Sequence, residues 1–238
     1  MYTQSTLGRA ISTKVACIAS MAFFIVTGVS QADNWTGAGT DDNWSTNGNW
    51  LDGSPPTPAD PVFFDITDSG TTNVVDGMFQ ILELSYGDGS VHITDLNGTG
   101  QLQVIGAINI GTGLGGNDAT VTWTNGGIIS ADEINVGYSV GDVVTGTLRS
   151  DSTTPIQANA VYIGRGAGAT GILDLTATDS FILGTSTDRV GSLRLAYDDT
   201  NVFNVSATTT ADLDLSLTNP NFQAFLANDL SIGARTPT

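Results

Sequence analysis

Few side chains in this sequence could do chemistry. His92 is the only histidine. It stands between Val91 and Ile93 in an alternating stretch, so it is expected on the solvent face opposite its apolar neighbours. No Ser-His-Asp or Cys-His arrangement and no zinc-ligand spacing accompanies it. Arg149, Arg165, Arg189 and Arg194, with Asp142, Asp151, Asp174 and Asp179 nearby, form the one set that could join cations to carboxylates on an acidic polysaccharide. Carboxylates roughly 5–10 Å apart can hydrolyse a glycosidic bond. With 22 Asp in the chain, however, some such pairing is expected by chance.

Calcium is the ion that acidic turns suit, because Asp and backbone carbonyl oxygens are hard ligands. Gly115-Gly116-Asn117-Asp118-Ala119 has the flavour of a calcium-binding β-roll turn, but that site needs tandem copies and the stretch occurs once. Asp41-Asp42-Asn43 and Asp198-Asp199 are also expected to be solvated turns. Trp35, Trp44 and Trp50 lie within 16 residues. They could form an aromatic carbohydrate platform, but a cap burying their indoles is the better reading. No catalytic, cofactor-binding or metal-binding residue is assigned, and no enzyme activity is expected.

The elements that must hold these residues are written in the composition. The chain has 238 residues, 24 of them acidic and only two of those Glu, against seven Lys plus Arg, for a formal charge of −17. Abundant Asp, Gly and Thr with so little Glu and Lys disfavour helices. An apolar content of 40% is enough to build a core. Such acidity excludes nucleic acid as a partner, because a phosphate backbone needs clustered cations. Residues 1–32 read as a secretory signal peptide. Arg9 and Lys14 precede an apolar run from Val15 to Val29, and Ser30-Gln31-Ala32 supplies a small-residue cleavage site. Cleavage after Ala32 also removes the only cysteine, Cys17, so 24 acids then face five Arg, a formal −19. No later apolar run is long enough for a transmembrane helix.

A repeat organises the rest. Ile108-Asn109-Ile110-Gly111, Ile134-Asn135-Val136-Gly137 and Val161-Tyr162-Ile163-Gly164 place their glycines 26 and then 27 residues apart, and 27 more reaches Gly191. Three columns keep the same beat: Val121, Leu148 and Leu175; Ile129, Ile156 and Leu183; Val136, Ile163 and Val190. Short alternating strands separated by Gly- and Asn-rich turns at this period predict an all-β fold, a right-handed parallel β-helix with about 26–27 residues per coil. Equivalent positions then stack about 4.8 Å apart. An antiparallel jelly roll is the competing arrangement. The beat loosens before Gly111, where Tyr86-Gly87 and Ile81-Leu82-Glu83-Leu84 would form the preceding rung. The expected divisions are 1–32 signal peptide, 33–80 Trp-rich cap and first strands, 81–196 β-helix repeats, and 197–238 C-terminal coil and cap. In the last of these, Asn219 as N-cap, Pro220, Phe222, Phe225 and Leu226 have helical spacing.

The opening Trp35-Thr36-Gly37-Ala38-Gly39, then Asn43-Trp44-Ser45 and Asn49-Trp50, a Pro-rich stretch and the tetrads ending in Gly resemble passenger-type β-helices of bacterial secreted proteins. Such sequences occur in autotransporter passengers and in exported proteins with PEP-CTERM sorting tails. The resemblance covers roughly residues 34–195. It implies a secreted or outer-surface protein with a structural or adhesive task, contacting a surface, matrix or glycan. The alternative it carries is a β-helix lyase or glycoside hydrolase acting on polysaccharide. A C-terminal β-barrel translocator and a Pro-Glu-Pro tail are not found before Thr238, which fits either a fragment or a protein released without an anchor.

Overall fold

In a computed structural model, residues 32–65, 71–112, 118–139, 141–150, 155–174, 181–197, 210–214 and 222–232 are described. They form a β-solenoid of about five turns in which every pairing between strands is parallel. No α-helix occurs among the described residues, only a single 3-10 turn at Asn47–Asn49. The expected signal peptide lies outside the described residues apart from Ala32, which is exposed.

Each coil crosses three faces. The first carries Met78–Ile81, Gln101–Val104, the leading half of Ile128–Tyr138, the leading half of Ile156–Arg165, Phe181–Leu183 and Phe222–Ala224. The second carries Asp33–Asn34, Pro61–Phe64, Glu83–Tyr86, Ala107–Thr112, the trailing halves of the same two long strands, Val190–Tyr197 and Leu226–Ile232. The third is a separate sheet of Thr72–Val74, Ser90–Asp95, Ala119–Thr124, Val144–Ser150, Ala169–Asp174 and Thr210–Asp214.

Like residues stack over like because a parallel ladder fixes the register. Leu84, Ile108, Ile134, Val161 and Leu193 form one interior column. Leu102, Ile129, Ile156 and Leu183 form another, as the sequence beat predicts. Each of these residues is at most 4% exposed. Two predicted columns are corrected at their last member. Leu148 sits over Val121 as expected, but its next partner is Leu173 rather than Leu175. The corner after Arg165 is two residues shorter than the one after Tyr138, turning on Gly166 and Gly168 with φ of +86° and +87°. Above Ile163 stands Leu195, not Val190. The turn 184–189, closed by Thr185 N–H to the Asp188 carbonyl at 2.7 Å, inserts five residues between the first and second faces. Gly191 therefore belongs to a corner column over Asn159, where an added Cβ would lie 2.0 Å from the Asn159 carbonyl oxygen.

The predicted helix at 219–226 is also corrected. Phe222–Ala224 and Leu226–Ile232 are strands that pair with Phe181–Leu183 and Val190–Tyr197. Phe225 is the corner between them, accepting from Val190 N–H and donating to the Leu183 carbonyl. Its spacing from Phe222 thus marks a bend between two strands rather than a helical turn.

The amino-terminal end is closed by aromatic rings. Trp35, Trp44 and Trp50 are at most 3% exposed, so they cap the tube and do not form a platform. Trp50 meets both other indoles edge-on, at 5.1 and 5.3 Å. Phe64 stacks on Tyr86 at 4.9 Å. His92 joins this plug, correcting the solvent-facing expectation. It is 2% exposed and packs edge-on against Phe64 at 4.9 Å, while Val91 is 59% exposed. Polar tips on the rings explain the inversion. The Trp44 indole N–H donates to Asn73 Oδ1 at 2.9 Å, and the Tyr86 hydroxyl meets Thr94 Oγ1 at 2.8 Å. Asn73 and Thr94 must therefore face inward, and His92 shares the inward phase of Thr94.

The corner between the second and third faces is also tight. Gly137 and Gly164 adopt φ of +70° there, against Gly146 and Gly171 on the third face. A Cβ on Gly171 would lie 2.1 Å from the Gly164 nitrogen and 2.2 Å from the Val136 carbonyl oxygen. Gly171→Ala should lower the unfolding free energy by about 3 kcal/mol through this overpacking. Gly77→Ala, whose methyl meets nothing nearer than 3.6 Å, should change it little. Urea unfolding of the two variants checks the contrast.

Candidate functional site

The outer side of the second face gathers most of the chemistry the chain possesses. The central position of the repeating tetrads forms one column on the side away from the aliphatic core, Ser85, Asn109, Asn135, Tyr162 and Arg194, and its first four members are at most 8% exposed because they pack on one another. Beside it runs Glu83, Ala107, Glu133, Ala160, Ser192 and Asp229. Both glutamates of the chain and two of its arginines, Arg165 and Arg194, therefore share one face.

These groups are bound to one another along the tube. Asn135 Nδ2 donates to Asn109 Oδ1 at 2.9 Å, and Asn109 Nδ2 donates to Glu83 Oε1 at 2.7 Å. Arg165 Nη1 donates to Glu133 Oε2 at 2.6 Å and to Asn135 Oδ1 at 3.1 Å. Its guanidinium carbon lies 4.3 Å from the centre of the Tyr162 ring, a cation–π distance. Arg194 Nη1 donates to the Tyr162 hydroxyl at 3.0 Å, and Arg194 Nε stands 3.7 Å from Asp229 Oδ2. The Asp229 carboxyl is held below its ordinary range, first by the Ser192 hydroxyl, then by Ser231, with Arg194 adding to it. The pattern is a chain of charge-assisted contacts between successive rungs.

The other sequence candidates are dispersed. Arg149 lies on the third face, paired with Asp174 of the next rung at 2.8 Å. Arg189 ends the inserted turn and reaches the Leu226 carbonyl at 3.4 Å. Asp142 occupies the exposed corner before Val144, whereas Asp151 and Asp179 lie outside the described residues. The structure thus brings Arg165 and Arg194 together through Tyr162, and Arg149 together with Asp174. Glu83 and Glu133 were not singled out from the sequence. Their signal was the column phase: each stands two residues before an Asn, Ser or Tyr of the ladder. Two rungs separate them, about 10 Å.

The turns weighed for calcium are occupied by their own chain. Asp41 accepts from the Thr46 hydroxyl at 2.6 Å and from Asn43 N–H at 3.0 Å, and these donors, the hydroxyl first, hold its carboxyl low. Asp118 Oδ1 accepts Thr145 N–H at 2.6 Å, while residues 113–117 and Asp198-Asp199 lie outside the described residues. Among the described residues no group of three or more His, Cys, Asp or Glu could hold a metal ion. No helix among them is long and apolar enough to cross a membrane.

Comparison with known proteins finds no matching family model, no similar curated protein and no similar solved structure.

One carboxyl stands apart from the ladder. Asp33 opens the first strand, is 4% exposed, and has no hydrogen-bond partner for either oxygen among the described residues. Burial, followed by the charges of Asp52 and Asp60, pushes its pKa up to about 7. A value raised above the ordinary 3.8 means that the folded chain binds more protons than the unfolded one between those limits. This contribution to stability is complete below pH 4 and is lost as pH rises through 7. Asp33→Asn should therefore raise the Tm at pH 8 by roughly 2–4 °C, the shift for about 1 kcal/mol in a chain of this size. It should leave the Tm nearly unchanged at pH 3.5. Calorimetry at the two pH values checks this on a chain with a neutral peptide ahead of Asp33, because a free α-ammonium there would itself compensate the carboxylate.

Proposed function

We propose that the protein is exported and acts as a non-catalytic structural or adhesive β-solenoid, outside the cell or on its outer surface. The observation that carries this reading is how the arginines are used. Arg149, Arg165 and Arg194 each join carboxylates of adjacent or neighbouring coils, which strengthens a rod. The export half of the reading rests on the leader-like residues 1–32 and on the resemblance to passenger-type β-helices. A rigid acidic rod presents side-chain ladders at fixed intervals, a suitable surface for repeated weak contacts with a matrix or glycan.

A second reading, a β-helix enzyme acting on polysaccharide, draws on the same face. Glu83, Glu133, Arg165 and Arg194 are the cation and carboxylate set that such chemistry uses. The two readings part on what Arg165 does. For a rod, Arg165→Ala breaks the bonds to Glu133 and Asn135 and lowers stability by about 2 kcal/mol, with no reaction to lose. For an enzyme, depolymerisation of alginate or polygalacturonate by the purified chain, abolished in Arg165→Ala and in Glu133→Gln, would be seen and would overturn the proposal. Amino-terminal sequencing of protein recovered outside a Gram-negative host should begin at Asp33. Retention of residues 1–32 in that material would defeat the export half.

A further inference from the structure

We infer that the corner between the first and second faces holds a groove for an extended neutral glycan. This rests on the adhesive reading and names its ligand class and its place. The groove has a volume of about 370 Å³, within the usual range for ligand sites. Local sequence explains why it opens here. Three residues link Gln103 to Ala107, whereas two link Ser130 to Glu133 in the next coil, so Ile105 is an extra residue that swells outward and is 49% exposed. In the outward column of the first face, Gln80, Gln103, Ser130 and Gln157 succeed one another. The short serine breaks a row of glutamines and leaves a notch.

Polar groups converge on an apolar floor in this notch. Val104 and Ala131 lie at the base. Gln80 Nε2 donates to Gln103 Oε1 at 3.0 Å, which leaves the Gln80 carbonyl and the Gln103 amide hydrogens without a partner among the described residues. On the opposite wall Asn159 Nδ2 donates to Asp132 Oδ1, leaving the second carboxylate oxygen and the Asn159 carbonyl to accept. One rung past Ser130, outside the groove lining, Gln157 Oε1 is buried with no donor among the described residues.

These donors and acceptors recur at the rung spacing of about 4.8 Å. That suits a ligand offering hydroxyls at regular intervals and C–H surface between them. An extended peptide is disfavoured, because strand addition needs an open backbone edge and here the strands on either side are already paired. Nucleic acid is disfavoured because no arginine lines the groove. The charge of −17 would repel uronic acids, so the glycan is neutral.

The test uses affinity electrophoresis and calorimetry with the chain from Asp33 onward. The probes are soluble β-1,3-glucan, galactomannan and hydroxyethylcellulose, with alginate and polygalacturonate as anionic counterparts. Ser130→Tyr fills the notch from the outer side, and Asp132→Ala removes one wall's acceptor. Thr147→Tyr places the same bulk on the third face. Binding to at least one neutral probe, weakened at least tenfold by Ser130→Tyr and by Asp132→Ala but not by Thr147→Tyr, is the expected result, with circular dichroism unchanged. Failure to bind any neutral probe, equal binding by Ser130→Tyr, or preference for the anionic probes would overturn the groove. Adhesion of the wild-type protein to whole cells or matrix, retained by Ser130→Tyr, would remove the groove and leave the adhesive reading standing.

Discussion

Everything in this molecule follows from the parallel backbone ladder. Once each strand takes its hydrogen bonds from the coil before and gives them to the coil after, successive side chains are forced into columns about 4.8 Å apart. Inside the tube that constraint rewards repetition, and Ile108, Ile134 and Val161 stack as a continuous aliphatic line. Outside, repetition of one charge would be repulsive, and the columns alternate accordingly. Ala107 separates Glu83 from Glu133, Arg149 meets Asp174, Asp132 meets Asn159, and Asn125 donates to Asp95 at 2.9 Å. The acidic excess is tolerated because it is spread along the coil and interleaved with amides, hydroxyls and a few guanidinium groups.

A ladder is self-satisfying everywhere except where it begins. Among the described residues no strand precedes the first coil, and its interior is not finished with small aliphatic side chains. Three indoles, Phe64, Tyr86 and His92 fill it, and the polar edges of Trp44, Trp50 and Tyr86 find Asn73, the Trp44 carbonyl and Thr94. The plug is thus half core and half hydrogen-bond network. It differs from the aliphatic columns behind it because it must close a surface as well as fill a volume.

The period was legible because corners of equal length keep the beat. Ile129, Ile156 and Leu183 were read correctly for that reason. Leu175 and Val190 were misplaced because one corner contracts and another gains the turn 184–189, slips that a fixed period does not carry. Hydrophobicity is a poor guide to the direction of His92, because the inward residues of its strand, Ser90, His92 and Thr94, are all polar. Phe222, Phe225 and Leu226 fit helical spacing as well as strand, corner and strand, and only pairing with the preceding coil distinguishes the two. Of the polar face, Asn109, Asn135 and Tyr162 were visible as the variable centre of each tetrad. The contacts of Glu83 and Glu133 depend on neighbours more than twenty residues away, which periodicity within one coil does not reveal.

The coil that makes the fold also sets how it answers force. Its backbone hydrogen bonds lie along the tube axis, so tension applied between the ends loads them rung by rung instead of all together. Each coil of 27 residues that peels away releases roughly 90 Å of extended chain. Without a cysteine beyond Cys17, no covalent cross-link limits that extension. A coil stretched between its ends therefore lengthens in steps, each step dissipating the energy of one rung.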